Sequence, residues 1–398
     1  MRRVSRGAMG GKLALVAGSL AVSLLAAEAG VRMLLPWSPA LLVADPLVGK
    51  RFRPGFAGRV FVPECACDVE LRFNRDGLRG PDRPYERPPG TTRVALAGDS
   101  MVAAVATAEE RTLASILERR LNSEPPAAAV LAAGPLPRFE VMNAGVSSSS
   151  TGSELALYRE VLAAYAPELV VLVFWVGNDL ADNSAELTSA PRLYFELDAQ
   201  GRLRQRPFAW EQNLFGEWLD RHSRFYVWQK TAVRQARAAL RSARRTLEPV
   251  DLVYARPEPP AATRAWTITG ALLRAFAAEA AARGSRLVLV AAAAPAQVYD
   301  DLWSELAARA AGDATPLSRD HPQERLRALA RAAGIPFLPL LEAFRARTPH
   351  RDSRLAREQL FYEGRFHWND AGNALAAETI HAFLRGLGPP EAEGASAR

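Results

Sequence analysis

The chain has 398 residues, 49% of them hydrophobic and 23% charged, which excludes wholly disordered and collagen-like classes and leaves ample material for one large core. Two cysteines cannot build a disulfide framework. The formal net charge of +7 suits anionic surfaces such as lipid headgroups. It does not indicate nucleic-acid binding, because the arginines are scattered through Ala- and Leu-rich stretches without interleaved aromatics.

In chain order, Arg2, Arg3, Arg6 and Lys12 precede an uncharged, mostly apolar stretch from Leu13 to Ala27. A second apolar patch, Val31 to Leu35, extends it towards the ~20 residues needed to span a bilayer, interrupted by Glu28 and Arg32. Ala27-Glu28-Ala29 also fits a signal-peptidase site. The charge-then-apolar order favours an uncleaved anchor over a cleaved leader or a buried soluble helix, with the basic flank cytoplasmic and everything after Pro36 on the other side.

Residues 36–90 read as a linker and a small β-rich lead-in, with alternating pieces at Gly58–Val62 and Val69–Phe73. Cys65 and Cys67 lie between them. In an extended segment their Cβ atoms stand roughly 6–7 Å apart, too far for an unstrained bond, so both are expected to be incidental rather than a redox pair or half a metal site.

From residue 91 short apolar runs alternate with helical periodicity. Strands are predicted at Arg93–Ala97, Phe139–Asn143, Leu169–Phe174, Arg286–Val290 and Pro336–Leu338. Helices are predicted at Glu109–Leu121, Ser153–Tyr165, Ala265–Ala282, Gln323–Ala333 and Asp370–Leu387. This alternation implies a parallel sheet with right-handed crossovers and helices on both faces. A helical insertion is expected at about 182–262, carrying Trp210, Trp218, Phe225, Tyr226, Trp228 and a basic run Thr231–Arg245. It is read as a helical excursion packed on the domain, or as a cap that shapes a cleft or touches the membrane. Residues 387–398 read as a disordered tail.

Ligands of open parallel sheets bind beyond the carboxyl ends of the strands. Gly98-Asp99-Ser100 follows the first strand, Asn143-Ala144-Gly145 the second and Gly177-Asn178-Asp179 the third, and His367-Trp368-Asn369 precedes the last helix. A serine at a strand-to-helix turn is exposed at the sheet edge and becomes a nucleophile when a base takes its proton. The oxyanion formed on attack needs aimed donors, which the Ser100 N–H, the Gly145 N–H and the Asn178 amide can supply. His367 is the expected base. His222 and His381 lie in helical segments and His350 in an Arg-rich loop, which leaves His321 as the one rival. Asp99, Asp179 and Asn183 read as turn and loop caps, and Ser147–Thr151 as a helix cap rather than a substrate rim. Neither metal-site spacing nor a phosphate loop is present, so no metal or cofactor is expected.

With these four blocks in order over residues 91–386, the chain resembles the SGNH/GDSL hydrolase superfamily, named for residues found here as Ser100, Gly145, Asn178 and His367. The resemblance implies a flavodoxin-like three-layer α/β/α fold and acyl-ester chemistry with Ser100 as nucleophile. The anchor and the lead-in Asn74–Gly80 look similar to membrane-attached bacterial members. Two departures stand out. Val176 replaces a glycine found in many members, and the aspartate usual two or three residues before the histidine is missing, with Arg365 and Gly364 in its place. Glu363, Asp370, Asp320 or a backbone carbonyl remain as substitutes. The reading is an extracytoplasmic, membrane-anchored serine esterase acting on acetyl or short-chain esters of envelope carbohydrate or lipid. A polysaccharide O-acetyltransferase and a non-catalytic envelope binding protein are the alternatives.

Overall fold

Strand Leu169–Trp175 is apolar along its whole length because both of its faces are covered, and this decides the architecture. The computed structural model describes residues 6–36, 38–126, 137–188, 190–207, 214–242, 247–356, 359–362 and 366–387. Arg2, Arg3, Trp210, Glu363, Gly364, Arg365 and the expected tail beyond 387 lie outside the described residues.

The chain begins with α1 (Arg6–Leu34) and two short hairpins, β1 (Leu42–Asp45) with β2 (Gly49–Phe52) and β3 (Ala57–Val62) with β4 (Cys67–Arg72). The central sheet follows. Its strands are β5 (Thr91–Gly98), β6 (Arg138–Gly145), β7 (Leu169–Trp175), β10 (Arg286–Ala292) and β11 (Phe337–Pro339), all parallel and in the spatial order β6-β5-β7-β10-β11, while β8 (Phe195–Leu197) and β9 (Leu203–Gln205) form a separate hairpin. Counted within the sheet this is the flavodoxin-like order 2-1-3-4-5, whose topological switch lies between β5 and β7.

Because successive strand residues point to opposite faces, each strand feeds two cores. Ala95, Ala97, Leu172 and Phe174 pack against α4 (Thr151–Glu160), α8 (Pro260–Ala282) and α11 (His321–Ala332) through Tyr158, Trp266, Phe276 and Leu326. Val94, Leu96, Val171 and Val173 pack against α3 (Leu113–Ser123), α12 (Leu341–Arg347) and α13 (Asp370–Gly386) through Leu117, Phe344 and Ile380. The result is three layers, α/β/α. Two helices escaped the periodicity reading: the short α12, and α10 (Asp300–Gly312), which buries only Leu306 and Ala310 and so shows a weak apolar stripe.

The lead-in is fastened to this sheet by two buried arginines. Arg79 donates to the Ala103 carbonyl at 2.7 Å, to the Ala104 carbonyl and to the Thr107 carbonyl at 2.5 Å. Arg93, on β5 and fully buried, donates to Glu140 at 3.0 Å and to the carbonyls of Pro84, Tyr85 and Tyr165 at 2.8–2.9 Å.

The cysteine expectation is corrected: Cys65 and Cys67 form a disulfide. The segment is not extended there. Ala66 has φ 49°, in the left-handed region, and this turn brings the two Cα atoms to 5.1 Å, within disulfide reach.

A separate compact unit is formed by residues 1–41 and 211–244. In it α1 packs with α6 (Leu214–His222) and α7 (Arg224–Ser242). The Glu28 carboxylate accepts the amides of Arg224 and Phe225 at 3.0 Å and the Ser223 hydroxyl at 2.8 Å, capping the start of α7, while Arg32 donates to the His222 carbonyl at 2.8 Å. Over Gly11–Leu34 α1 is long and apolar enough to cross a membrane.

Removing one partner of a buried ion pair leaves the other charge uncompensated. Arg93→Ala is therefore expected to destabilise the sheet by about 3–5 kcal/mol. Urea unfolding of the variant beside the wild type checks this, and a loss under about 1 kcal/mol contradicts it.

Candidate active site

At the end of β5 the chain turns through Asp99 into a single helical turn, α2 (Ser100–Ala103). The Asp99 carboxylate accepts the Met101 amide at 2.8 Å and so fixes Ser100 at the exposed edge of the sheet. From the other end of the chain, His367 arrives in the turn before α13. Its carbonyl accepts the Tyr362 amide at 3.0 Å, and its neighbour Trp368 is buried against Phe344. The Ser100 Oγ hydroxyl meets His367 Nε2 at 2.7 Å. The two residues that the sequence reading paired are hydrogen-bonded neighbours across 267 positions.

The ring's other nitrogen answers the question left by Arg365 and Gly364. His367 Nδ1–H donates to Glu64 Oε1 at 2.7 Å. Glu64 comes from the loop Pro63–Ala66 that joins β3 to β4, in the lead-in rather than the sheet domain. Neither of the two substitutes among the described residues, Asp370 and Asp320, takes this place. Asp370 pairs with Arg111 at 2.7 Å, Asp320 pairs with Arg345 at 3.0 Å, and Glu363 lies outside the described residues. The rival His321 is engaged with Glu258 at 2.9 Å, and His381 with the Glu124 carbonyl at 2.8 Å. Sequence spacing carried no signal for Glu64, 303 positions from its partner.

The oxyanion donors fall out differently from expectation. The Gly145 N–H is spent on Asn143 Oδ1 at 3.1 Å, and a Cβ on Gly145 would come within 2.2 Å of Ala103 N. This glycine is a packing position that lets β6 press on α2. The chain then crosses the end of β5, where Ser149 Oγ donates to the Gly98 carbonyl at 3.1 Å. Next to it, exposed Ser148 has φ 63°, and its N–H donates to no group among the described residues. The Asn178 amide hydrogen-bonds the Asp99 carboxyl, which ties the end of β7 to the Ser100 turn. Ser150 caps α4, as expected for that stretch, and Asn183 donates to Thr151 and Thr269 at 3.1 Å. Val176 is a core residue whose amide donates to the Ala292 carbonyl at 3.2 Å. Gly177 leaves room for the Trp175 indole, which a Cβ would meet at 2.4 Å; that ring lies 6.1 Å from His367 and 6.2 Å from the exposed Phe366.

Among solved structures the chain is similar to an acetyl xylan esterase, at 13% identity over 73% of this chain and 98% of that one, with a TM-score of 0.40. It is also similar to a lipase/acylhydrolase from Enterococcus faecalis (13%, 74% and 96%, TM-score 0.39) and a GDSL-like lipase from Bacteroides thetaiotaomicron (12%, 76% and 91%, TM-score 0.36). No family model and no curated protein matches. The sheet order and the placement of the four blocks at its carboxyl edge decide the architecture. The fold is the flavodoxin-like three-layer α/β/α arrangement expected from the sequence.

Within this α/β/α framework, charge is unevenly distributed. Burial opposes a charged His367 ring, but the hydrogen bond and charge of Glu64, with Asp99 beyond it, raise its pKa above the ordinary imidazole value. Beneath Ser100 lie four carboxyls: Asp99, Glu154, Asp179 and Asp182. Burial pushes all four upward; mutual repulsion adds to this, and Arg192 beside Asp182 only partly offsets it. Glu154 is pushed up to about 8, and its carboxyl is hydrogen-bonded with Ser149 Oγ at 2.8 Å. No group of three or more His, Cys, Asp or Glu that could hold a metal occurs among the described residues.

The raised Glu154 pKa sets a sign. Below about 4.5 both folded and unfolded states carry the proton. Between about 4.5 and 8 the unfolded chain has lost it while the fold keeps it, so stability falls as pH rises through that window. Glu154→Gln is expected to gain stability relative to wild type at pH 8 compared with pH 5, as measured by urea unfolding at both. A difference that does not change with pH contradicts the assignment.

Proposed function

We propose that the protein is a serine esterase acting on acyl esters, with acetyl or short-chain groups on envelope carbohydrate or lipid as the substrate class. The observation that carries this reading is the continuous Ser100–His367–Glu64 hydrogen-bond line, with both links at 2.7 Å. In the reaction His367 Nε2 takes the Ser100 hydroxyl proton as Oγ attacks the ester carbonyl. Glu64 holds the ring in the tautomer that leaves Nε2 free to accept and stabilises the imidazolium that forms. The Ser100 N–H, the Asn178 amide and, in place of Gly145, the Ser148 N–H face the oxyanion. The carbonyl carbon–alkoxy oxygen bond breaks as His367 returns the proton to the departing alcohol. Water, deprotonated by His367, then releases the acid and restores Ser100. The exposed Phe366 beside Trp175 offers an apolar wall for the acyl or sugar face.

A fluorophosphonate probe and a chromogenic acetyl ester test this. Wild type is expected to label and to hydrolyse, with an acid-limb midpoint above the ordinary imidazole range, since the base works only when neutral. Ser100→Ala should abolish labelling. Glu64→Gln should lower kcat by about 10²–10⁴-fold and move the midpoint down. No labelling of wild type overturns catalysis in favour of a binding role, and acyl transfer to a glycan hydroxyl without net hydrolysis makes it an O-acetyltransferase.

The placement we infer is a retained membrane anchor with the sheet domain outside the cytoplasm. Glu28 and Arg32 are committed to α6 and α7, and cleavage after Ala29 would remove the carboxylate that caps α7. Exposed Phe215, Trp218 and Trp228 on these two helices suit a bilayer interface, and the disulfide suits an oxidising compartment. Carbonate-washed membranes are expected to retain the protein with an amino terminus upstream of Ala27 by mass spectrometry; a mature terminus near Ala29 or Gly30 defeats the anchor.

A further inference from the structure

We infer that the Cys65–Cys67 disulfide is the positioning device for Glu64, so that the catalytic line is complete only while this bridge is oxidised. The inference builds on the esterase reading and names what holds its acid in place.

Glu64 reaches His367 from the tip of a two-stranded hairpin, the kind of site where backbone motion normally concentrates. A carboxylate that orients a catalytic ring has to stay within roughly 0.5 Å of its working position. The root of the hairpin is held by the core: Leu71 and Phe73 are buried, Phe73 stacks on Phe52 at 4.2 Å, and Arg72 pairs with Glu109 at 3.1 Å. The tip has no comparable backbone or aromatic support among the described residues, for Pro63 and Ala66 are exposed and β3 and β4 last pair at Val62 and Cys67. What closes the tip is covalent. Pro63 fixes the backbone before Glu64, and the disulfide ring fixes it after, with Ala66 held at φ 49°. An alanine disfavours that conformation by about 1–2 kcal/mol, so once the bridge opens the loop has a reason to leave it, and Glu64 moves with the loop. The root stays folded, so the loss falls on catalysis rather than on stability.

Opening needs a dithiol reductant. Its thiolate attacks one Sγ and releases the other cysteine as a thiolate that takes up a proton. The reagent's second thiol then resolves the mixed disulfide, giving two protein thiols and one oxidised reagent.

The test uses the full chain with dithiothreitol, the two freed thiols being counted by mass tagging. Its main readout is the His367 midpoint by histidine NMR, assigned by loss of the signal in His367→Gln. Among the described residues Glu64 and Asp99 are the charged groups acting on that ring, with Ser100 and Trp175 beside it. Reduction, or Cys65→Ser with Cys67→Ser, is expected to lower the midpoint to that of Glu64→Gln. It should also cut kcat for the chromogenic ester about tenfold or more with KM within about twofold, as loss of the acid does in a serine hydrolase. Reoxidation should restore both, and Glu64→Gln should not respond to the reagent. A fully reduced wild type whose midpoint is unchanged overturns the inference whether or not esters are cleaved. A midpoint that moves as stated in a protein that cleaves no ester upholds the clamp and removes the esterase reading instead.

Discussion

Two hydrogen bonds, from Ser100 to His367 and from His367 to Glu64, tie together a turn after the first sheet strand, a turn before the last helix and a hairpin that precedes the sheet altogether. An imidazole that takes a proton from serine becomes a cation in a partly dry site, and the carboxylate offsets that cost while preventing the ring from rotating. The constraint is geometric before it is electrostatic. Glu64 is useful only if the lead-in is held rigidly against the sheet, and two buried guanidinium groups do this. Arg79 bridges the lead-in to the carbonyls flanking α2, and Arg93 gathers three carbonyls and Glu140 at the other end of β5. The lead-in that carries Glu64 is thus the support of the His367 ring and not a spacer.

The carboxyls under Ser100 look at first like a liability, because an alkoxide and then an oxyanion form just above them. Burial and mutual repulsion push Glu154 up to about 8 and Asp179 well above the ordinary carboxyl value, which eases that conflict, because a carboxyl that keeps its proton acts as a dipole and not a charge. Asp99 is the member nearest the chemistry. It fixes the turn through the Met101 amide, receives Asn178, and its charge favours a positive His367, so one buried group links Ser100, Asn178 and His367.

How much of this could be read from the sequence follows from how local each signal is. The five parallel strands were legible because burial on both faces leaves uninterrupted apolar runs, as in Leu169–Trp175. Ser100 and His367 were legible because position relative to a strand end or a last helix is itself local. Glu64 was not, since a carboxylate brought in from a separate hairpin has no fixed spacing to the histidine and no neighbouring pattern. The cysteines misled for a related reason. Two residues at i and i+2 are out of reach in a strand and within reach in a turn, and only the left-handed Ala66 distinguishes the cases. Gly145 was assigned by its place after a strand, and the close approach of β6 to α2 by itself also requires a glycine there.

Glu28 and Arg32 invert in meaning in the same way. Read along the chain they are interruptions in an apolar stretch, and an isolated charge near a bilayer is a cost. In the fold each has a polar destination. The Glu28 carboxylate sits on the free amides of α7, where a negative charge is stabilised by the helix end, and Arg32 reaches the terminal carbonyl of α6, where a positive one is. Both charges lie towards the carboxyl end of α1, away from its uncharged middle, so the apolar length stays intact while its last turns become a docking surface. The residues that interrupt α1 as a simple membrane-spanning segment are the ones that fasten the insertion helices to it.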